Sequence, residues 1–126
     1  MKRTIATPDA PEAVGPYSQG TTDGDLVFTA GQIALTPDGD LLDEEPIGVQ
    51  TRQALENVKN ILEEEGLTLQ DVLKVTIFMA DIQDYDAINE AYSEYFHDNP
   101  PARSAVQVAA LPAGARVEIE AIAAKK

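Results

Sequence analysis

The sequence predicts an α+β domain, a mixed β-sheet with two helices packed on one face. Segments rich in β-branched and aromatic residues alternate with two stretches of helical periodicity, in the order strands, helix, strand, helix, strands. The 126 residues suit one domain of common size, taken as residues 1–126. Hydrophobic residues at 44% and charged residues at 25% supply a packed core and a wet surface.

Residues 2–5 form a short first strand. The turn signal Asp23-Gly24-Asp25 precedes a strand over residues 26–30, Leu-Val-Phe-Thr-Ala. Residues 32–35 read as a further strand that turns at Pro37-Asp38-Gly39 and returns as a hairpin through Leu41-Leu42. Pro46 opens the first helix. Thr51, Ala54, Leu55, Val58, Ile61 and Leu62 form its apolar stripe, Arg52–Glu56 and Lys59–Glu63 are ion pairs one turn apart, and Gly66 ends it in a left-handed conformation. Residues 72–80, nearly all apolar at their end, read as a central strand covered on both faces. The second helix is capped by Asp81 or Asp84. It buries Tyr85, Ile88, Tyr92, Tyr95 and Phe96, turns Asp86, Glu90 and Glu94 to water, and stops at Pro100-Pro101. Strands over residues 103–109 and 116–123 close the chain. In the last one Val117, Ile119 and Ala121 alternate with Glu118, Glu120 and Ile122. Two helices cover one face of such a sheet, and the other, carrying Val106 or Val108, is expected to meet another subunit.

Nine Lys and Arg against 22 Asp and Glu give a net charge of -13. This surface repels phosphate backbones and argues against nucleic-acid binding. The acids run from Asp9 to Glu120, the dispersed coat expected of a halophilic protein whose repulsion salt screens. With no Cys there is neither a disulfide nor a thiol nucleophile, and with His97 as the single histidine a zinc or copper site is not expected. No apolar run approaches the roughly 20 residues that span a bilayer. Thr4, Pro8 and Asp9 follow Met1-Lys2-Arg3 where a signal peptide is apolar, so a cytoplasmic location is expected.

Several motifs carry no chemistry. Gly15-Pro16-Tyr17-Ser18-Gln19-Gly20 has the glycines of a phosphate loop, but Thr21 and Thr22 stand where it needs Lys and Ser/Thr. Asp38-Gly39-Asp40 lacks the ligand order of a calcium loop and reads as a solvated turn. His97, just past the second helix, complements the helix dipole. Arg103 has the planar fork that matches a carboxylate, although a surface ion pair is the commoner role for an arginine among so many acids. Glu118 reads equally as a wet strand residue, and Tyr17 as a turn residue packing its ring.

Five segments in order change that balance. They are residues 15–20 (GPYSQG), Thr29-Ala30-Gly31-Gln32-Ile33, Asn89-x-x-Tyr92-x-x-Tyr95-Phe96, Pro101-Ala102-Arg103-Ser104, and residues 117–123 (VEIEAIA). Together they resemble the RidA/YjgF family of reactive-intermediate deaminases along essentially the whole chain. The resemblance implies a chorismate-mutase-like fold and a homotrimer with three clefts between subunits. It also implies hydrolysis of small 2-imino acids or their enamines (2-aminoacrylate, 2-iminopropanoate, 2-iminobutanoate) to 2-keto acids and ammonia, without cofactor or metal. By that resemblance Arg103 clamps the substrate carboxylate with help from the Gly31 N–H, and Glu118 positions or deprotonates the attacking water. Tyr17 joins Arg103 and Glu118 as a catalytic residue, lining the cleft with its hydroxyl toward the substrate, and Asn89 lines the substrate-binding side. Ala105 stands where many members have Cys, and Ala30 where Ser is frequent, which excludes a thiol or a hydroxyl at those positions. The alternatives are a non-catalytic trimer that binds carboxylate ligands, and a ribonuclease or translation inhibitor, which the charge disfavours.

Overall fold

Period-two burial in the C-terminal strand sets the architecture. The computed structural model describes residues 2–125. Its strands are β1 (Arg3–Ile5), β2 (Gly20–Thr22), β3 (Leu26–Thr29), β4 (Val72–Met79), β5 (Ala102–Gln107) and β6 (Val117–Ala124); its helices are α1 (Ile47–Glu64) and α2 (Tyr85–Ser93). They form one sheet in the order β1-β2-β3-β6-β4-β5, antiparallel throughout except where β5 runs parallel to β4 at the edge. The expected α+β arrangement is present, with both helices on one face.

In β6, Val117, Ile119, Ala121 and Ala123 are buried under the helices, while Glu118, Glu120 and Ile122 turn to the open face. The neighbour β4 does the same with Val75, Ile77 and Met79. A bulge at Leu73 shifts its phase, so Val72 also points inward and Leu73 is exposed. That explains the nearly unbroken apolar reading of residues 72–80. Within the chain, however, only one face of β4 is covered: Thr76 and Phe78 stand half-exposed on the other. Phe28 and Val106 are exposed on that open face as well.

Helix α1 lies over β6 and β3 through the expected stripe of Ala54, Leu55, Val58, Ile61 and Leu62. It ends in a Schellman motif: Gly66, at φ 74°, donates its N–H to Glu63 O, and the Leu67 N–H reaches Leu62 O. Helix α2 packs on α1 and buries Ile88, Ala91 and Tyr92.

The structure departs from the sequence reading in local detail. Residues 32–35 form no extended strand: the chain does turn back at residues 37–39, but the pairing is reduced to the antiparallel bridge Leu35–Leu41 and the bond from the Leu42 N–H to Ala34 O, while Gln32 bridges Ile119. The α1 side chain Asn57 takes the carbonyls of Ile33 and Leu35, so these groups are satisfied without a ladder. Strand β2, Gly-Thr-Thr, has no apolar alternation to announce it. Its Gly20 lets the strand pack closely, because a Cβ there would meet Ile61 Cγ2 at 3.0 Å and Phe28 O at 3.1 Å and press both back by a few tenths of an ångström. Arg52 bridges the helices to Glu94 (2.9 and 2.8 Å) instead of pairing with Glu56, and Lys59 pairs backwards with Glu56 at 3.6 Å instead of with Glu63. Asp81 caps the turn Ile82–Asp84, whereas Asp84 makes no capping bond to α2. Tyr95 and Phe96 lie beyond the end of α2, and Tyr85 is exposed rather than buried.

One acid joins the two ends of the described chain. Glu65 accepts two 2.7 Å hydrogen bonds from Arg3 and one of 2.8 Å from Lys125. These hydrogen bonds, Arg3 first, hold its carboxyl down at about 2 against a usual 4.5. A lowered pKa stabilises the fold above the unfolded value and is lost as pH falls through the folded one. Glu65→Gln should therefore cost about 1 kcal/mol at neutral pH. Thermal melts of both proteins should converge as pH falls from 4.5 toward 2.

Candidate functional site

Two clusters of polar side chains stand apart from the core, on opposite sides of the sheet. The first is built on β5 and α2. Arg103 is in register with the buried Val75, so it and Ala105 point to the helix side at the sheet's free edge. On α2, Tyr85, Asn89 and Tyr92 are spaced four and three apart and share one face. The Arg103 ζ-carbon lies 4.7 Å from the Tyr92 ring centroid and 5.8 Å from that of Tyr85. Its Nη2 donates to Tyr85 Oη at 3.3 Å. The neighbouring Asn89 amide first, and then Arg103, draw the Tyr85 phenol below its ordinary value. Burial pushes Tyr92 up to about 12, and its hydroxyl finds no partner among the described residues.

Charge pairing sets Arg103 apart. Arg3, Arg52 and Arg116 each bond a carboxylate, Glu65, Glu94 and Asp84 respectively. Arg103, among 22 acids, bonds none of the described ones and lies instead against two aromatic rings. The surface ion pair that composition favours is not formed. With one N–H on Tyr85, the rest of the guanidinium can still grip a planar anion.

The second cluster surrounds Gly31. The exchange of backbone hydrogen bonds between Gln32 and Ile119 (2.8 and 2.9 Å) brings Gly31 against Glu118. A Cβ at position 31 would overlap the Glu118 carboxylate, lying 2.7 Å from its Cδ, so only glycine fits beside this side chain as placed. The Ala30 N–H goes to Gln19 O and the Gln32 N–H to Ile119 O, leaving the Gly31 N–H between them without a partner among the described residues. Glu118 makes neither an ion pair nor a hydrogen bond among the described residues. Burial, then the neighbouring Glu120, raises its pKa.

Tyr17 closes this cluster from a turn at Gly15, whose φ of 138° suits glycine. Its N–H reaches Gly15 O at 2.9 Å, and its hydroxyl accepts from the Val14 N–H at 3.3 Å. Buried Gln19 anchors the segment: its Oε1 accepts from the Thr7 N–H, and its Nε2 donates to the carbonyls of Thr7, Ala10 and Pro11. The GPYSQG motif is thus a brace for the N-terminal loop. Tyr17, Gln19, Gly31, Gln32, Pro112 and Glu118 line a cleft of about 250 Å³. A larger depression of about 630 Å³ shares Tyr17 and Gln19 but reaches neither Gly31 nor Glu118.

The expected site residues therefore fall into two groups, Tyr17 with Gly31 and Glu118, and Arg103 with Asn89. Glu118 is in register with Phe78 on the open face, while Arg103 points the other way, so one chain does not assemble all five. Sequence reasoning takes Tyr85 and Tyr92 as core residues, although their spacing from Asn89 is visible; Gln19 stands within the GPYSQG motif, but nothing local shows that it anchors the N-terminal loop. His97 is exposed beside Asp98 and belongs to neither cluster. No three His, Asp or Glu side chains among the described residues gather to hold a metal ion, and no described helix is long and apolar enough to cross a membrane.

Comparison with known proteins agrees along the full length. Residues 7–125 match the family model described as Endoribonuclease L-PSP. The chain is 48% identical to a RutC family protein of Pyrococcus horikoshii over 126 residues, covering 100% of both. It is 44% identical to the 2-iminobutanoate/2-iminopropanoate deaminase of Salmonella typhimurium, again over 100% of each chain. The crystal structure of E. coli TdcF with bound serine superposes with a TM-score of 0.94 at 43% identity, covering 98% of this chain and 99% of that one. With the motif order, the sheet and the relatives in agreement, this chain belongs to the RidA/YjgF family.

Proposed function

We propose that the protein hydrolyses small 2-imino acids to 2-keto acids and ammonia, in clefts where Arg103 of one copy meets Tyr17, Gly31 and Glu118 of the next in a homotrimer. The observation that carries this reading is the unpaired Arg103, a cation kept off every described carboxylate of an acidic chain and set on an aromatic platform. The deaminase named among the relatives acts on substrates of this charge. The half-exposed open face, with Phe28, Phe78 and Val106, supplies apolar surface for the neighbouring copies.

In this reading the guanidinium takes both carboxylate oxygens, and the Gly31 N–H adds a third donor. The substrate's protonated imine is already electrophilic, so holding it beside an oriented water supplies most of the acceleration. Glu118, with its raised proton affinity, takes a proton as the water oxygen bonds to C2. Returned to nitrogen, that proton makes the amine a leaving group; the C–N bond then breaks as C=O forms, ammonia leaves, and the proton of the carbinol hydroxyl passes to the Glu118 carboxylate. Carboxylate binding without turnover is the second reading, prompted by the serine held in the TdcF structure. RNA cleavage, the activity in the family model's description, finds little support in a surface of net charge -13.

Arg103→Lys should lose most turnover, because a point charge cannot match two oxygens in a plane; the expected cost is roughly 2–5 kcal/mol in kcat/KM. Keto-acid release from an imino acid generated in situ measures it, and near-normal rates would return Arg103 to the ordinary surface. Glu118→Gln should slow turnover by about two orders of magnitude while leaving keto-acid binding nearly intact. Equal losses in both would make Glu118 a structural residue, and a wild-type protein that binds keto acid without accelerating hydrolysis would establish the second reading.

Salt provides a further test. Three chains of -13 give an assembly of about -39, whose charges repel one another and an anionic substrate. Molar salt shortens the screening length to about 3 Å. Trimer stability and substrate affinity should both rise from dilute buffer to molar potassium chloride, as followed by sedimentation and activity. Equal behaviour in dilute buffer would make the acidic coat incidental.

A further inference from the structure

The Tyr85 hydroxyl sits where the proposed mechanism gives it no task. It is on the first turn of α2, exposed, and its oxygen accepts from Arg103 Nη2 at 3.3 Å; the Asn89 side chain, one turn along the same helix face, and then Arg103 lower its proton affinity. Arg103 has no other side-chain hydrogen bond among the described residues, and the two rings constrain the position of the guanidinium far more than its rotation in plane. A single hydrogen bond therefore selects which N–H edge faces outward. Asn89, one turn along the same helix face, fixes the phenol oxygen that selects it.

We propose that Tyr85 is a positioning residue for Arg103, its hydroxyl locking the guanidinium in the orientation that receives the substrate carboxylate, with Asn89 holding that hydroxyl in place. This inference rests on Arg103 being the carboxylate clamp. It also carries an intrinsic off-state. Loss of the phenol proton would place an anion on Arg103, in direct competition with the substrate carboxylate. The charged groups that act on the phenol are Arg103 from β5 and, from its solvent-facing place next along α2, Asp86; the first favours the phenolate and the second opposes it. Carboxylate affinity should accordingly fall at alkaline pH as Tyr85 ionises, before arginine loses any charge.

Pyruvate, a stable keto acid, serves as the probe, with binding measured by calorimetry from neutral pH to about pH 10. Tyr85→Phe keeps the ring and removes only the oxygen. It should weaken pyruvate binding roughly three- to tenfold at neutral pH, the effect of one hydrogen bond, and it should abolish the alkaline fall seen in the wild type. Under turnover the loss should appear in KM, with kcat nearly unchanged. Asn89→Leu should weaken neutral binding in the same direction and move the alkaline fall to higher pH. A Tyr85→Phe protein with wild-type affinity, or with the wild-type alkaline fall, overturns the proposal. Arg103→Lys in the same assay separates the two readings. If it loses pyruvate while Tyr85→Phe does not, only the role of Tyr85 fails; if it binds normally, the clamp fails and Tyr85 with it.

Discussion

Strand β6 lies between β3 and β4, and its backbone is bonded to both, so its register cannot slip without breaking two ladders. Four small or branched residues on one side of it carry the helices. The alternate positions carry two glutamates, an isoleucine and Ala124 to the other side. A shift by one residue would bury Glu118 and Glu120 in the core and expel Ile119 and Val117. The same register sets Ile119 opposite Gln32, and that bridge seats Gly31 on Glu118. The core and the acid-bearing cleft are therefore one specification read from two faces of a single strand.

Elements with a strong period were legible. The α1 stripe, the Gly66 stop and the alternation of β6 all follow from residue spacing, because burial on one side of a helix or strand leaves a repeating mark. Features that depend on distant partners were not. Gly20–Thr22 becomes a strand because β1 and β3 flank it, and residues 32–35 fail to become one because Asn57, on a helix far along the chain, takes their carbonyls. Arg52 offered an equally good partner four residues away and chose Glu94 across the helix interface. The five candidate site residues were found through motif order. Their division between two sides of the sheet follows from strand parity and sheet order, and the order could not be read from any local spacing.

Electrostatics gives the acidic chain two unlike arginine environments. At Glu65 two cations converge on one carboxylate and tie strand ends together. Around Arg103 the neighbours are two phenol rings, groups that hold a guanidinium without neutralising it. A cation in a chain of charge -13 would pair with the nearest acid unless its position forbade it. The α2 face forbids it by presenting Tyr85, Asn89 and Tyr92 in place of acids, while the acids of that helix, Asp86 and Glu90, face solvent.

The donor beside Glu118 is a main-chain N–H, and that gives position 31 an unusual genetic character. A side chain that supplies a hydrogen bond is deleted by one codon change, whereas a backbone amide survives every substitution except proline. What substitution can do at this position is steric: even alanine would drive its methyl group into the carboxylate. The Gly31–Glu118 end of the cleft thus separates two features under mutation, the amide being supplied by the fold itself and the acid's placement depending on the absence of one carbon atom. Directed evolution aimed at residue 31 would find no graded series of variants there, only glycine or a displaced acid.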